Sequence, residues 1–204
     1  MLQPVPRQTE IHRLSNDLAI AQRYDASVKA DLFATALATT AGTYLVDPFE
    51  MEPAALDELV GGARVAGVVV TNANHERASH DVAARFSVPV YAHPDAGVPA
   101  ELQIEHGNVI PPDLKAIAIQ GAPRGECAIY SPGENGTLII GDALINFGSH
   151  GFTLLPPKYC SDARVMQRSL RRLLDYQFER IVFAHGHPIT TAARARLVAL
   201  LDRS

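Results

Sequence analysis

A chain of 204 residues, 47% hydrophobic and 20% charged, has the length and composition of one globular domain with a sizeable core. Its net charge of −4 argues against a dedicated nucleic-acid surface, and no apolar run is long enough for a membrane helix. Cys127 and Cys160 stand apart without CxxC spacing, and the N-terminal MLQPVPRQTE lacks an apolar signal core, so a reduced, cytoplasmic protein is expected.

Residues 1–13 read as a loosely held arm, because Pro4 and Pro6 discourage regular structure. Residues 14–204 read as a single domain. Strands are expected at 18–23, 31–39 and 43–46, with Ala41-Gly42 as the turn between the last two. The run TYLV ends in Asp47-Pro48-Phe49, and a helix over 53–59 starts at a proline and closes at Gly61-Gly62. Residues 67–93 then form the unit around which the chain is organised. They comprise a buried strand (68–70), a polar turn (71–77), a helix (79–86) and a second apolar strand (88–92). A turn at the C-terminal end of a buried strand is a common place for chemistry in α/β architectures.

From Glu101 the pattern changes to short strands with Gly, Pro and Asn turns, at 114–120, 126–130, 137–140 and 143–145, with SPGENG as a hairpin loop. A Gly- and Pro-rich loop over 147–157 reads as a pocket wall or as core packing. A helix follows at 162–176. Its Arg164, Arg168, Arg171 and Arg172 share a solvated face rather than a phosphate-binding patch. A strand at 180–184 leads through HGHPITT, with Thr190 or Thr191 as N-cap, into a C-terminal helix. The central hairpin strands suit an α+β fold better than a doubly wound parallel sheet. The expected architecture is an αββα sandwich, two mixed β-sheets flanked by helices.

TYLVDP, VVVTNANHER, IIGDAL and IVFAHGHP, in this order, resemble the landmarks of the metallo-β-lactamase superfamily over nearly the whole chain. The resemblance implies an αββα hydrolase with a two-zinc centre. This sequence departs from the family at the metal motif, where the family has Thr-His-x-His-x-Asp-His. Thr71 matches, but Asn72 and Asn74 replace the first two histidines, Glu76 the aspartate and Arg77 the last histidine. The next family histidine falls near Ala122. Asp142, at the bridging-aspartate position, and His185, at the final-histidine position, remain.

A catalytic zinc needs about three His, Cys or carboxylate ligands and one open position. Asn amides are poor zinc ligands, and a guanidinium only donates. The expected metal set is therefore Glu76, Asp142 and His185, holding at most one divalent transition metal (zinc, iron or manganese), weakly, or none. Arg77 is a plausible substitute for the missing cation, pairing with Glu76 or Asp142. Asp142, His185 and His75 are the candidates for acid–base work. His75 stands at the motif's variable position, which would turn it away from the pocket. Asn72, Asn74, Arg77 and His187 are the candidates for substrate contact. The plainer alternatives are that Asn72 and Asn74 cap the following helix, that Asp142 caps a turn, and that His185 is a relic held by a carbonyl. His93 ends a strand near the same rim; His80 and His150 are assigned no role.

Three functions stay open. The first is a hydrolase-like protein with a degenerate metal site. The second is a non-catalytic protein binding a small molecule or partner in the old cleft. The third is a hydrolase rebuilt around His75 or His187. A small-molecule ligand or substrate in the cleft is expected, with no nucleic-acid or membrane partner, and a homodimer is the base-rate expectation.

Overall fold

Val68, Val69 and Val70 are all fully buried, as expected of a strand covered on both faces. They lie in one of two sheets of a computed structural model that describes residues 8–148 and 151–203. The first sheet takes its strands in sequence order: β1 (Glu10–Arg13), β2 (Leu18–Asp25), β3 (Ala30–Thr39), β4 (Gly42–Val46), β5 (Val65–Val70), β6 (Val90–Ala92) and β7 (Leu102–Gln103). β1 to β4 run antiparallel, and β4 to β7 run parallel. Helices α1 (Pro53–Val60) and α2 (Ser79–Phe86) make the first two parallel crossovers.

The second half of the chain supplies β8 (Val109–Ile110), β9 (Leu114–Ala118), β10 (Cys127–Ser131) and β11 (Thr137–Ile140). The hairpin β12 (Leu144–Phe147) and β13 (Gly151–Leu154) follows, then α3 (Ala163–Leu170), β14 (Arg180–Phe183) and α4 (Ala193–Asp202). The second sheet has the order β14-β11-β10-β9-β8, parallel only between β11 and β14.

Period-two alternation sorts the apolar side chains into three layers. Val69 and Ile139 point into the core between the sheets, with Leu37, Tyr44, Ile129 and Val182. Val68 and Val70 face the other way, against Leu56, Leu59 and Val82 of α1 and α2. Leu138 and Ile140 face Met166, Leu170, Leu197 and Leu201 on the far side. The expected two mixed sheets flanked by helices are therefore present. No described helix is long and apolar enough to cross a membrane.

Several local expectations need correction. Part of the expected N-terminal arm is β1, because Glu10–Arg13 pairs with β2; residues 1–7 lie outside the described residues. The expected loop over 147–157 contains β13, whose backbone bonds to β12; no apolar alternation announces that strand. The expected helix at 162–176 is α3 followed by a tighter 3₁₀ segment, Arg171–Asp175. Helix α4 starts after Ala192, which is left-handed, with no threonine cap.

Candidate functional site

β4 ends just before Asp47, β5 just before Thr71, β11 just before Gly141-Asp142, and β14 just before Ala184-His185. The sheets are stitched together at this rim. Cys127 N–H donates to the Thr71 carbonyl, and Phe33 N–H to the Ala184 carbonyl. Strand ends from both sheets therefore converge. Glycine is required at 141, since a Cβ there would lie 2.5 Å from Thr71 Oγ1 and 2.9 Å from both Asn72 Nδ2 and Glu126 Oε1.

Asp47 is buried, 2% exposed, and left-handed at φ 51°. Its carboxylate accepts from Thr71 N–H (2.8 Å), Thr71 Oγ1–H (2.6 Å) and His75 Nδ1 (2.9 Å). The threonine's single hydroxyl proton goes to Asp47, so its oxygen, 2.9 Å from His75 Nδ1, receives a proton from the ring. That fixes His75 with a proton on Nδ1 and leaves Nε2 facing Asp142 Oδ1 at 3.2 Å. His75 Nε2 is buried and, despite that distance, makes no hydrogen bond, because the alignment is wrong.

His185 is oriented in the same way. Its Nδ1–H donates to the Asp31 carbonyl at 3.2 Å. Its Nε2 lies 3.4 Å from Asp142 Oδ1 and accepts from Arg77 Nη2 at 3.4 Å. The two imidazole centroids are 5.4 Å apart. Arg77, itself left-handed at φ 39°, also donates from Nη1 to the Phe33 and Asp47 carbonyls. Two non-glycine residues with positive φ in one site mark local strain of the kind concentrated at functional sites.

The other Asp142 oxygen, Oδ2, accepts from Asn72 Nδ2 (3.2 Å) and Asn74 Nδ2 (3.1 Å). Asn72 Nδ2 also donates to Glu126 Oε2 at 2.6 Å. Glu126 accepts backbone N–H bonds from Ala143 and Asp142. Burial raises the Glu126 carboxyl to about 7, helped by the Asp142 charge and opposed by the Ala143 N–H, His75 and Asn72. Burial disfavours the charged form of His75, but Asp47 and then Asp142 outweigh burial and Arg77, raising it to about 9. His185 goes the other way. Burial, then repulsion from His75 and Arg77, lowers it to about 4 against the pull of Asp142. Burial also opposes ionisation of Asp142, yet His75 and His185 hold it well below the usual carboxylate range.

Above these groups opens a cleft of about 1490 Å³. Tyr24, Val28 and Lys29 of the β2–β3 hairpin form one side, and Phe147, Leu154 and Tyr159 belong to the other. The expected wall is thus borne by Phe147 and residues 153–157, while residues 149–150, including His150, lie outside the described residues.

Asp142, His185, Asn74 and Arg77 reach the cleft as expected. His75 reaches it too, which corrects the expectation that the variable position points away. Glu76 is the one that turns out: half-exposed, it lies 3.3 Å from His80 one helical turn on. It is replaced in the ionisable cluster by His75, because a 3₁₀ turn at Ala73–His75 swings residue 75 inward. Arg77 accordingly bonds His185 and carbonyls instead of Glu76. His187 is exposed and packs edge-on to Phe33, apart from the cleft lining. Asn72 caps the 3₁₀ turn through Asn74 N–H, not helix α2, whose start has no side-chain cap. His93 caps the turn after β6.

Glu126 and Asp47 escaped notice as site residues. The signal for Glu126 was a carboxylate opening the otherwise apolar strand ECAIY. A two-zinc centre does not fit these residues. Ala122 is buried without a donor atom, and the Asn72 and Asn74 amides aim N–H groups at Asp142 where a cation would need lone pairs.

A family profile described as the metallo-beta-lactamase superfamily matches residues 10–203. Among solved structures, a metallo-beta-lactamase from Pontibacter korlensis superposes with TM-score 0.76 at 15% identity, covering 97% of this chain and 100% of that one. The FIM-1 metallo-beta-lactamase from Pseudomonas aeruginosa, in its mono-zinc form, gives TM-score 0.73 at 15% identity over 99% and 98% of the two chains. ETHE1 from Myxococcus xanthus gives 0.66 at 16% identity over 90% and 89%. At such identities the likeness is one of fold. No curated protein matches the chain at a significant level.

Proposed function

We propose, for a chain that belongs to the metallo-beta-lactamase superfamily, a hydrolase-like role on a small molecule, worked by His75, Asp142 and His185 instead of a two-metal centre. The observation that carries this reading is convergence: Nε2 of both histidines lies within 3.4 Å of one Asp142 oxygen, beneath a large cleft with apolar walls. At neutral pH His185 is uncharged, and Asp31 and Arg77 hold its ring in place. Its lone pair faces the site, where it can accept a proton or a ligand. Asp142 supplies negative charge, and Arg77 the nearest cation. With a basicity set near 4, His185 is a weak general base, since proton transfer works best when the pKa is near the operating pH. Turnover by side chains alone is therefore slow.

One observation favours a second reading, a binding cleft without catalysis. The buried charges close by themselves, with Asp47 and Asp142 balanced by His75 and Arg77. The test is a panel of phosphoesters, thioesters and lactones, assayed with the protein and with the double variant Asp142→Ala/His185→Ala. Hydrolysis lost in the double variant supports the enzyme. Ligand-induced thermal stabilisation without turnover transfers support to the binding cleft, and turnover indifferent to both substitutions rejects the site.

A further inference from the structure

We propose that the mouth of the cleft selects an amphiphilic anion, a small molecule with an apolar body and an acidic group such as a carboxylate at its outer end. The inference rests on the reading of the cleft as the working site and names the class of molecule that enters it. Its residues lie outside the four segments through which the chain resembles the superfamily. Three observations carry it.

The first is where apolar surface is left in water. Five large hydrophobic side chains are exposed among the described residues, and three of them, Tyr24, Val28 and Tyr159, line this cleft. Tyr24 and Val28 stand on the β2–β3 hairpin, and Tyr159 on a 3₁₀ turn, Pro157–Tyr159, on the opposite lip. Exposed apolar side chains scattered singly need no explanation, but gathered around one opening they mark a binding surface.

The second is the charge set beside them. Lys29 follows Val28, and Lys158 precedes Tyr159, so each lip joins an exposed apolar side chain to a cation. Lys158 Nζ lies 4.6 Å from the Tyr159 ring centroid. Arg164, in the first turn of α3, adds a third cation to the lining. Among the described residues the ion pairs of Lys and Arg fall on Arg85, Arg171 and Arg180. Lys29, Lys158 and Arg164 are thus left without one. The neighbouring acid Asp25 is engaged inside its own turn, where it accepts from the Ser27 N–H and hydroxyl.

The third is the wider field. Half of the chain's 18 Lys and Arg, but only four of its 22 Asp and Glu, fall in residues 158–204. The lip that carries Lys158 and Arg164 opens this basic stretch, so a chain of net charge −4 still draws anions to that side. A neutral apolar ligand would leave the lip cations unused, and a wholly polar anion would leave Val28 and Tyr159 in water. An amphiphile meets both. The volume of about 1490 Å³ exceeds the roughly 300–1,000 Å³ usual for small-ligand sites and leaves room for an apolar body.

The experiment titrates the full chain by NMR with octanoate, with its uncharged analogue octanamide, and with acetate. Octanoate should bind about tenfold more tightly than octanamide, and acetate should not bind measurably. Lys29→Gln and Lys158→Gln, both at exposed positions, should each weaken octanoate about threefold and together about tenfold, leaving octanamide within about twofold. Tyr159→Ser should weaken octanoate and octanamide alike, and Arg64→Ala, an exposed cation at the other end of β5, neither. Octanoate alone should weaken between about 0.01 M and 0.15 M salt, as screening shortens from about 30 Å to about 8 Å. No octanoate binding, equal binding of octanoate and octanamide, acetate binding as strong as octanoate, or indifference to the double lysine variant would each overturn the proposal. Capture by phosphatidylglycerol vesicles without binding of monomeric octanoate would assign the lips to a membrane surface and overturn it too. The two readings fail separately. Octanoate binding without turnover on any ester or lactone keeps the lips and removes the chemistry. Hydrolysis lost in Asp142→Ala/His185→Ala, with octanoate and octanamide bound alike, keeps the function and removes the anion selection.

Discussion

The parallel pair β11–β14 begins in one buried charge network and ends in another. At its start Arg180 donates from Nε to Thr137 Oγ1, from Nη1 to Ser15 and Asp17, and from Nη2 to Asp17 Oδ2 at 3.0 Å. Glu134 lies 3.4 Å from Nη1. Each nitrogen of that guanidinium is used, and the fork meets the Asp17 carboxylate with two nitrogens. At the other end His75 Nε2 lacks a hydrogen bond, Asp47 and Arg77 are strained, and two imidazoles 5.4 Å apart are driven to opposite charge states. The difference separates two uses of buried charge. A network that satisfies every donor ties elements together. One that splits the pKa values of neighbouring groups is of the kind concentrated at functional sites.

The largest expected effect is at the satisfied end. Arg180→Ala strands Asp17 and Thr137 and should lower unfolding free energy by about 3 kcal/mol, measured in urea, while the titrations of His75 and His185 stay unchanged. A cost near zero would erase the contrast between the two ends.

At the open end the expected signature is a pH dependence. His75 has its folded value raised to about 9, above the unfolded value of about 6.5. Its contribution is therefore fully present below the unfolded value and is lost as pH rises through the folded one. Between about pH 7 and 9 the protein should lose stability with a slope of up to about 1.4 kcal/mol per pH unit. Asp47→Asn, which removes the first partner on the ring, should flatten that limb. A wild-type protein of constant stability over this range would mean that His75 is buried neutral.

The smallest expected effect bears on the shared lone pair. Arg77→Gln removes a cation and a donor beside His185 and should raise the low titration point of that ring by about one unit, read by NMR, a part of the roughly 4 kcal/mol that a unit charge at 4 Å represents at an effective dielectric of 20. An unchanged titration would show Arg77 to be a prop for the ring and not its competitor.

Much of the architecture was legible before any coordinates. Helix Ser79–Phe86 and strand Thr137–Ile140 fall where periodicity put them, because both bury a continuous apolar set that only one register satisfies. Two strands were missed for the opposite reason. Glu10–Arg13 and Gly151–Leu154 contain no fully buried residue and depend on a partner strand for their form. The site divides similarly. Asp142 and His185 were placed by following strand ends, whereas Glu76 and His75 were exchanged, since one residue's difference in a six-residue turn decides which side chain faces inward.

The sequence, with the family resemblance it carries, determined the two-sheet sandwich, the rim at which its strands end, and the lack of the family's histidines at positions 72, 74, 77 and 122. Hydrophobic periodicity and residue identity are local properties, and they survive without coordinates. Only the tertiary structure decided that His75 faces the cleft, that Glu126 lies beside Asp142, and that Glu76 turns away. It also set the basicity of His75 above the usual histidine value and that of His185 below it. Both outcomes depend on which groups, distant in the chain, are brought within a few ångströms in a region shielded from water, where burial and neighbouring charge act over contacts that sequence order does not record.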